Sequence, residues 1–372
     1  MNSLVLENRL NNFKKELQKN KIDAALVASE VGRFYFSRFT CSKAFFLITP
    51  KKSFCLMDGR YYHRALKEIG SVFTVIETKK DFKDEFLLML KKQKIKVLGI
   101  EHKYYTLSKF KNLKKILKGM GIKFVDVSKI ISDLRAVKDA SELNAIKKSA
   151  QVTDKAFDYI FNFIKDNYKI GLKEKDIAWN IEKFIRENGG DGISFDPIVA
   201  SGSNSAFPHH CGGEKKIKYG DVILLDFGSV VDGYSSDMTR TIFIGKPSEK
   251  QTEVYKLVLQ AQTSALQKIK HGANVCEIDG AAREVVDNSK YKDKFLHACG
   301  HGVGLEIHEL PNLRKENKTE ILKEGMVVAV EPGVYLNKQF GVRIEDLVLV
   351  TKNGCKYLSK SVKDFDSMVI KY

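Results

Sequence analysis

The chain has 372 residues, a length that suits two domains better than one, and 43% of them are apolar, enough to bury a real core and to exclude global disorder. Lys and Arg number 63 against 46 Asp and Glu, a formal charge of +17, which raises nucleic acid as a partner. The lysines are spread along the chain with no long basic run and no interleaved aromatics, so a lysine-rich surface is expected instead, with nucleic acid an unlikely partner.

No run of eighteen apolar residues exists, which argues against a membrane span. The N-terminal segment is charged and amphipathic, unlike a signal peptide, and the six cysteines (41, 55, 211, 276, 299, 355) contain no CxxC pair. These features predict free thiols in a reducing cytoplasm. Cys211 and Cys299 are expected to be buried as small hydrophobes.

Residues 1–131 alternate short apolar runs, at 24–27, 45–48, 53–57, 72–76, 97–100 and 123–127, with helical patterns at 61–69, 86–91 and 107–117. Strand–helix alternation of this kind predicts an α/β layer domain. No glycine-rich phosphate fingerprint follows any of its strands, so nucleotide binding finds no support.

The grammar changes over 132–372. Asp139 and Glu142 have capping-box spacing, and apolar residues then recur at threes and fours from Leu143 to Ile164, predicting a long amphipathic helix. A second helix is expected at 173–187, and two more start near Ser248 and Asn274. Residues 222–245 and 326–350 read as strands and hairpins, so this half is α+β.

Its strands carry acids where apolar runs end. Asp226 closes the run from Val222, and a buried carboxylate without a cation or donors costs several kcal/mol. Asp237 follows eleven residues later, with the turn signal Asp232-Gly233 near the midpoint, so a hairpin would set the two aspartates nearly opposite each other. Like charges across a ladder repel, and a shared metal removes that cost. Glu331 ends the run from Met326. Arg343 and Glu345 are two apart and so share a strand face. His301 sits between glycines that let backbone come close.

Four carboxylates and one imidazole form a hard donor set that balances two divalent cations, with Mn²⁺ the best fit and Co²⁺, Zn²⁺ or Fe²⁺ also admissible. Two such ions a few ångströms apart generate hydroxide at neutral pH and clamp a tetrahedral intermediate.

The series LLDFG, SSDMTRT, GHGVGLEIHELP, VEPGVY and GVRIED resembles the pita-bread metallopeptidases, in particular the Xaa-Pro peptidase branch of aminopeptidase P and prolidase, over about residues 140–355. The preceding part resembles the creatinase-type N-terminal domain of that branch. The resemblance implies that Asp226, Asp237, His301, Glu331 and Glu345 hold two ions, with Asp237 and Glu345 bridging. Glu331 would also be the general base and acid toward a metal-bridging hydroxide.

By the same resemblance His209, preferred over its neighbour His210, and His308 are catalytic. His297, which lines the pocket of the proline-side residue, and Arg343, near the bridging glutamate, are the substrate-binding residues. A homodimer acting on proline-containing peptides is implied, whose N-terminal domain helps close the partner's active site. The expected activity is Xaa-Pro aminopeptidase, with Xaa-Pro dipeptidase (prolidase) as the nearest rival. Methionine aminopeptidase lacks the N-terminal domain, and creatinase lacks the ligands retained here. A reading from another class is a non-catalytic polyanion-binding protein on the same scaffold. His63, His102 and His271 have no motif context and are assigned to the surface.

Overall fold

A computed structural model describes residues 3–78 and 82–371. It divides into two compact units, Met1–Arg135 and Ala136–Tyr372. The first two residues of the amphipathic N-terminal segment lie outside the described residues. The rest of it forms helix α1 (Ser3–Lys19), which buries Leu6, Leu10, Phe13 and Leu17 on one face.

The first unit is a six-stranded sheet ordered β4-β3-β2-β1-β5-β6. Its strands are β1 (Ala24–Val27), β2 (Ala44–Ile48), β3 (Ser53–Met57), β4 (Thr74–Glu77), β5 (Val97–Ile100) and β6 (Lys123–Asp126). Between and after them run α2 (Glu30–Ser37), α3 (Gly59–Ile69), α4 (Lys83–Lys92), α5 (Leu107–Ile116) and α6 (Ser128–Ala136). Only β2 is antiparallel to its neighbours, so β1, β3, β4, β5 and β6 start at one edge of the sheet and β2 ends there. The expected run at 72–76 becomes a strand only from Thr74, because Val72 and Phe73 donate backward to the Ile69 carbonyl and close the end of α3.

The second unit opens with α7 (Ala140–Asn167), where the expected capping box is formed: the Asp139 carboxylate accepts from Glu142 N at 3.0 Å and the Glu142 carboxylate from Asp139 N at 3.0 Å. Next come α8 (Glu174–Glu187), α9 (Glu249–Lys268, capped by Ser248 and Gln251) and α10 (Val275–Asp287, capped by Asn274 alone). These helices enclose the strands in one large apolar core. No helix among the described residues is long and apolar enough to cross a membrane.

Two ladders matter for the site. Val222–Phe227 pairs antiparallel with Met238–Ile244, and the hairpin tip turns at Asp232 and Gly233, both with positive φ, the conformation a tight two-residue turn requires. The second ladder is ordered Glu309–Leu313, Gly300–Gly302, Val327–Val330, Asp346–Val350, Cys355–Tyr357, with a separate hairpin Gly333–Leu336/Phe340–Arg343. Arg240, fully buried, ties the two ladders to the C-terminal segment. It donates to the carbonyls of Thr239, Glu345, Ser361 and Val362 and to the Asp346 carboxylate at 2.7 Å.

Candidate metal centre

The hairpin register pairs Asp226 with Thr239, not with Asp237. Asp237 instead falls opposite Gly228 if that register is continued, which makes the aspartates diagonal neighbours on one face, still within side-chain reach. Gly228 permits it, since a Cβ there would lie 1.8 Å from the Ser236 carbonyl oxygen. Glu331 follows directly after Val327–Val330, and its N–H is held by the Cys299 carbonyl at 2.8 Å. Glu345 stands between two strands, Phe340–Arg343 and Asp346–Val350, with its N–H on the Thr239 carbonyl at 3.1 Å. His301 is the middle residue of Gly300–Gly302, where a Cβ on either glycine would strike backbone carbonyls.

These placements bring all nine sequence-predicted residues to one cavity of about 640 Å³: Asp226, Asp237, His301, Glu331 and Glu345 with His209, His297, His308 and Arg343. Ligand atoms of Asp237, His301 and Glu345 lie within 4.8 Å of one another. His301 Nε2 is 3.6 Å from both Asp237 Oδ2 and Glu331 Oε1. Its Nδ1 reaches the Gly302 carbonyl at 3.2 Å, which leaves Nε2 as a lone pair facing carboxylate oxygens.

The electrostatics are those of a site built around a cation. Burial pushes the Asp237 carboxyl well up, and Glu345, Asp226 and Glu331 add to the push. Burial raises Glu345 likewise, helped by Glu331 and Asp226. Glu331 is pushed up to about 8 by burial, with Arg343 pulling the other way and Asp226 reinforcing it. His301 is lowered to about 4 by burial and by His308, whose ring centroid is 4.3 Å away. Among the described residues, Asp226 Oδ1, Asp237 Oδ1 and Glu345 Oε1 are buried without a hydrogen-bond partner. Three orphaned oxygens and an inward imidazole lone pair are what a divalent cation satisfies, so the residues fit such ions.

Arg343 lines the cavity with its guanidinium committed to protein groups. It donates to Asp226 Oδ2 at 2.5 Å, the Tyr335 hydroxyl at 2.8 Å, Thr239 Oγ1 at 3.1 Å and the Pro208 carbonyl at 3.3 Å. His297, lowered to about 3 by burial and Arg343, has Nδ1 on the Ala298 carbonyl and Nε2 on the Tyr335 hydroxyl, each at 2.8 Å. Both of its ring nitrogens are thus committed to protein groups.

His210 is settled elsewhere. Its Nε2 meets the buried Glu174 carboxylate at 2.9 Å, and that same carboxylate accepts from Ser201 N, Ser201 Oγ, Asn204 Nδ2 and Gly213 N. His210 thereby turns inward while His209 faces the cavity. Cys299 is buried as expected, but Cys211 is exposed, because the anchoring of His210 leaves the next residue pointing out. His63, His102 and His271 are all exposed.

Sequence reasoning missed Tyr335, Thr239 and Glu174. Thr239 Oγ1 donates to Glu345 Oε2 at 2.8 Å while accepting from Arg343. Tyr335 had a signal: in the hairpin that pairs Gly333 with Arg343 it is two residues from that pair, hence on the face of Arg343. Glu174 had none, since its five donors come from a loop far along the chain.

Acids and histidines converging on one cavity make a candidate metal centre, and the known relatives give it a class. Residues 144–352 match metallopeptidase family M24, and residues 9–137 match the creatinase/prolidase N-terminal domain. The chain belongs to metallopeptidase family M24. It is 37% identical to the Xaa-Pro dipeptidase of Pyrococcus furiosus over 96% of this chain and 99% of that one. An Xaa-Pro dipeptidase structure from Bacillus anthracis superimposes with a TM-score of 0.92 at 35% identity, covering 98% of this chain and 99% of that one. An X-Pro aminopeptidase from Thermotoga maritima gives 0.86 at 35% identity, covering 95% and 99%. The expected α/β plus pita-bread architecture and the expected family are both borne out.

Proposed function

We propose that the chain is an Xaa-Pro dipeptidase that hydrolyses the bond before proline in dipeptides. The dipeptidase names among the relatives favour this over the aminopeptidase expected from sequence. What carries the hydrolytic part is the set of orphaned carboxylate oxygens converging on one cavity.

Asp226, Asp237, His301, Glu331 and Glu345 would hold two divalent cations, with Mn²⁺ the best match to oxygen donors and one imidazole. When bound, such ions supply Lewis-acid polarisation of the scissile carbonyl and acidify water. Glu331, half-buried on the cavity wall, would take the proton of the attacking water and return it to the proline nitrogen. His209 and His308 stand over the carbonyl and the amide. The His297 ring forms an apolar wall for the pyrrolidine, and Tyr335 with Arg343 fixes that ring. An Xaa-Pro bond is a tertiary amide with no N–H for an enzyme to grip, so positioning falls to these walls.

Arg314 speaks for a dipeptide. It lies on the cavity wall, exposed, and its guanidinium has no hydrogen-bond or ion-pair partner among the described residues. A free C-terminal carboxylate one residue past the scissile bond is its natural counter-charge. The homodimer implied by the resemblance belongs to the same proposal and is checked by sedimentation.

The deciding assay compares an Xaa-Pro dipeptide with an Xaa-Pro-Xaa tripeptide on the Mn²⁺-loaded protein. The dipeptide is turned over and the tripeptide only poorly. Arg314→Ala raises the dipeptide KM by about 10- to 100-fold, the worth of a charge-assisted hydrogen bond. Efficient tripeptide cleavage, indifferent to Arg314, replaces this reading with the aminopeptidase.

A further inference from the structure

The net charge is not shared between the units. Residues 1–135 hold 29 Lys and Arg against 13 Asp and Glu, a formal +16, while the remaining residues are nearly balanced at 34 against 33. A lysine-rich habit of the whole chain would not produce that division. The excess has a place in the first unit, and its topology shows where.

Five connections meet at the edge where β1, β3, β4, β5 and β6 start and β2 ends. They contain Lys21, Lys51, Lys52, Lys94, Lys96 and Lys118, and Lys123 opens β6 at the same edge; all are exposed. The helices leading into these connections bring further lysines in their last turns: Lys19, Lys67, Lys91, Lys92, Lys114 and Lys115. Lysine in a last turn is explained by the negative end of the helix dipole. The lysines in the connections have no such reason.

Among the described residues few acids stand at this edge: Glu16 and Glu68 close the last turns of α1 and α3, and Glu68 is held by Arg64 at 2.8 Å. Asp23 is the only acid in the five connections, and its carboxylate is taken by Lys96 N and Val97 N at 2.8 Å each. Apart from Lys19, 3.8 Å from Glu16, none of these lysines has a carboxylate within ion-pair distance among the described residues. Six adjacent strands span about 24 Å. Over that length a nucleic-acid duplex presents roughly 14 phosphate charges.

The chemistry of the edge narrows the partner. The exposed large apolar residues of this unit, Leu4, Leu66, Leu88 and Leu107, are on helices and none is in a connection, so there is no wedge for a lipid interior. The one aromatic in the connections, Phe73, is buried, so there is no platform for unstacked bases. Point charges without a stacking or groove-reading group match a regular phosphate backbone.

We propose that this edge of the N-terminal sheet binds the phosphate backbone of double-helical nucleic acid without sequence preference, a function separate from the peptidase site. The test uses the full-length protein and fluorescein-labelled 24-base-pair DNA duplexes of two unrelated sequences, read by anisotropy. Both bind alike at 50 mM KCl, and engagement of about five phosphates weakens binding roughly 500-fold at 200 mM. The quadruple variant Lys94→Glu/Lys96→Glu/Lys118→Glu/Lys123→Glu loses binding and keeps dipeptide hydrolysis. The same four positions changed to Gln weaken binding in a form that preserves the fold, and Lys43→Glu/Lys109→Glu at the opposite edge leaves it intact. Absence of duplex binding at 50 mM, equal loss in the opposite-edge variant, or tighter lysine-dependent binding to phosphatidylserine vesicles overturns the proposal.

Discussion

Glu331 without a cation is held in a protonation state that free glutamate leaves at about pH 4.3. Burial moves the folded carboxyl up to about 8. Between those values the native chain retains a proton that the unfolded chain has lost, so stability falls as pH rises through that window and no further above it. Asp237 and Glu345, raised by the same burial, act in the same direction. The metal-stripped protein therefore has a Tm that drops from pH 5 to pH 8, and added Mn²⁺ restores more at pH 8 than at pH 5. Thermal melts of stripped and reconstituted protein at the two pH values check this; a pH-independent Tm in the stripped form contradicts it.

The loop that presents His209 is an element with its own anchor. Glu174, at the start of α8, gathers donors from residues 201, 204, 210 and 213, and against its burial they hold its carboxyl below the usual range. Glu174→Gln turns half of that acceptor into a donor facing donors. His209 then loses its fixed position, and kcat falls between about 10- and 100-fold, the cost of a misplacement near 1 Å. Metal content, measured on the same preparations, stays unchanged; parallel loss of metal would show that Glu174 acts through the ligands instead.

Elements were legible in sequence where their cause is local. The capping box at Asp139 and Glu142 and the apolar runs ending in Asp226 and Glu331 carry their own punctuation, and the structure keeps them. The offset between Asp226 and Asp237 was legible too, since a two-residue turn at Asp232 and Gly233 pairs Val231 with Tyr234 and so carries Asp226 to Thr239, a count the expectation of opposed aspartates passed over. Glu174 was not legible, because its partners lie 27 to 39 residues away. The gathered lysines escape notice for the same reason: strand order, not chain order, sets the start of β1, after Lys21, beside the start of β5, after Lys96.

At the scale of the whole catalytic unit, Arg240 binds together segments more than a hundred residues apart. It holds the carbonyls of Glu345, Ser361 and Val362 and the Asp346 carboxylate, which Lys363 also meets. Arg240→Met leaves Asp346 buried with one partner fewer and takes a donor from the carbonyls of Glu345, Ser361 and Val362. Loss of a buried pair costs about 3–5 kcal/mol. Denaturant melts register this as a lower midpoint, and weakened metal retention follows because Glu345 loses its backbone clamp. A variant as stable as the parent would remove Arg240 from that role.

The short strand Val369–Ile370 lies parallel to Met238–Ile244, on the ladder that carries Asp226. A chain cut after residue 345 would keep all five proposed ligands yet lack the stretch that Arg240 and this ladder require. The proposed metal site thus depends on residues that follow its last ligand, and shortening the chain from its end would undo the site before any ligand is lost.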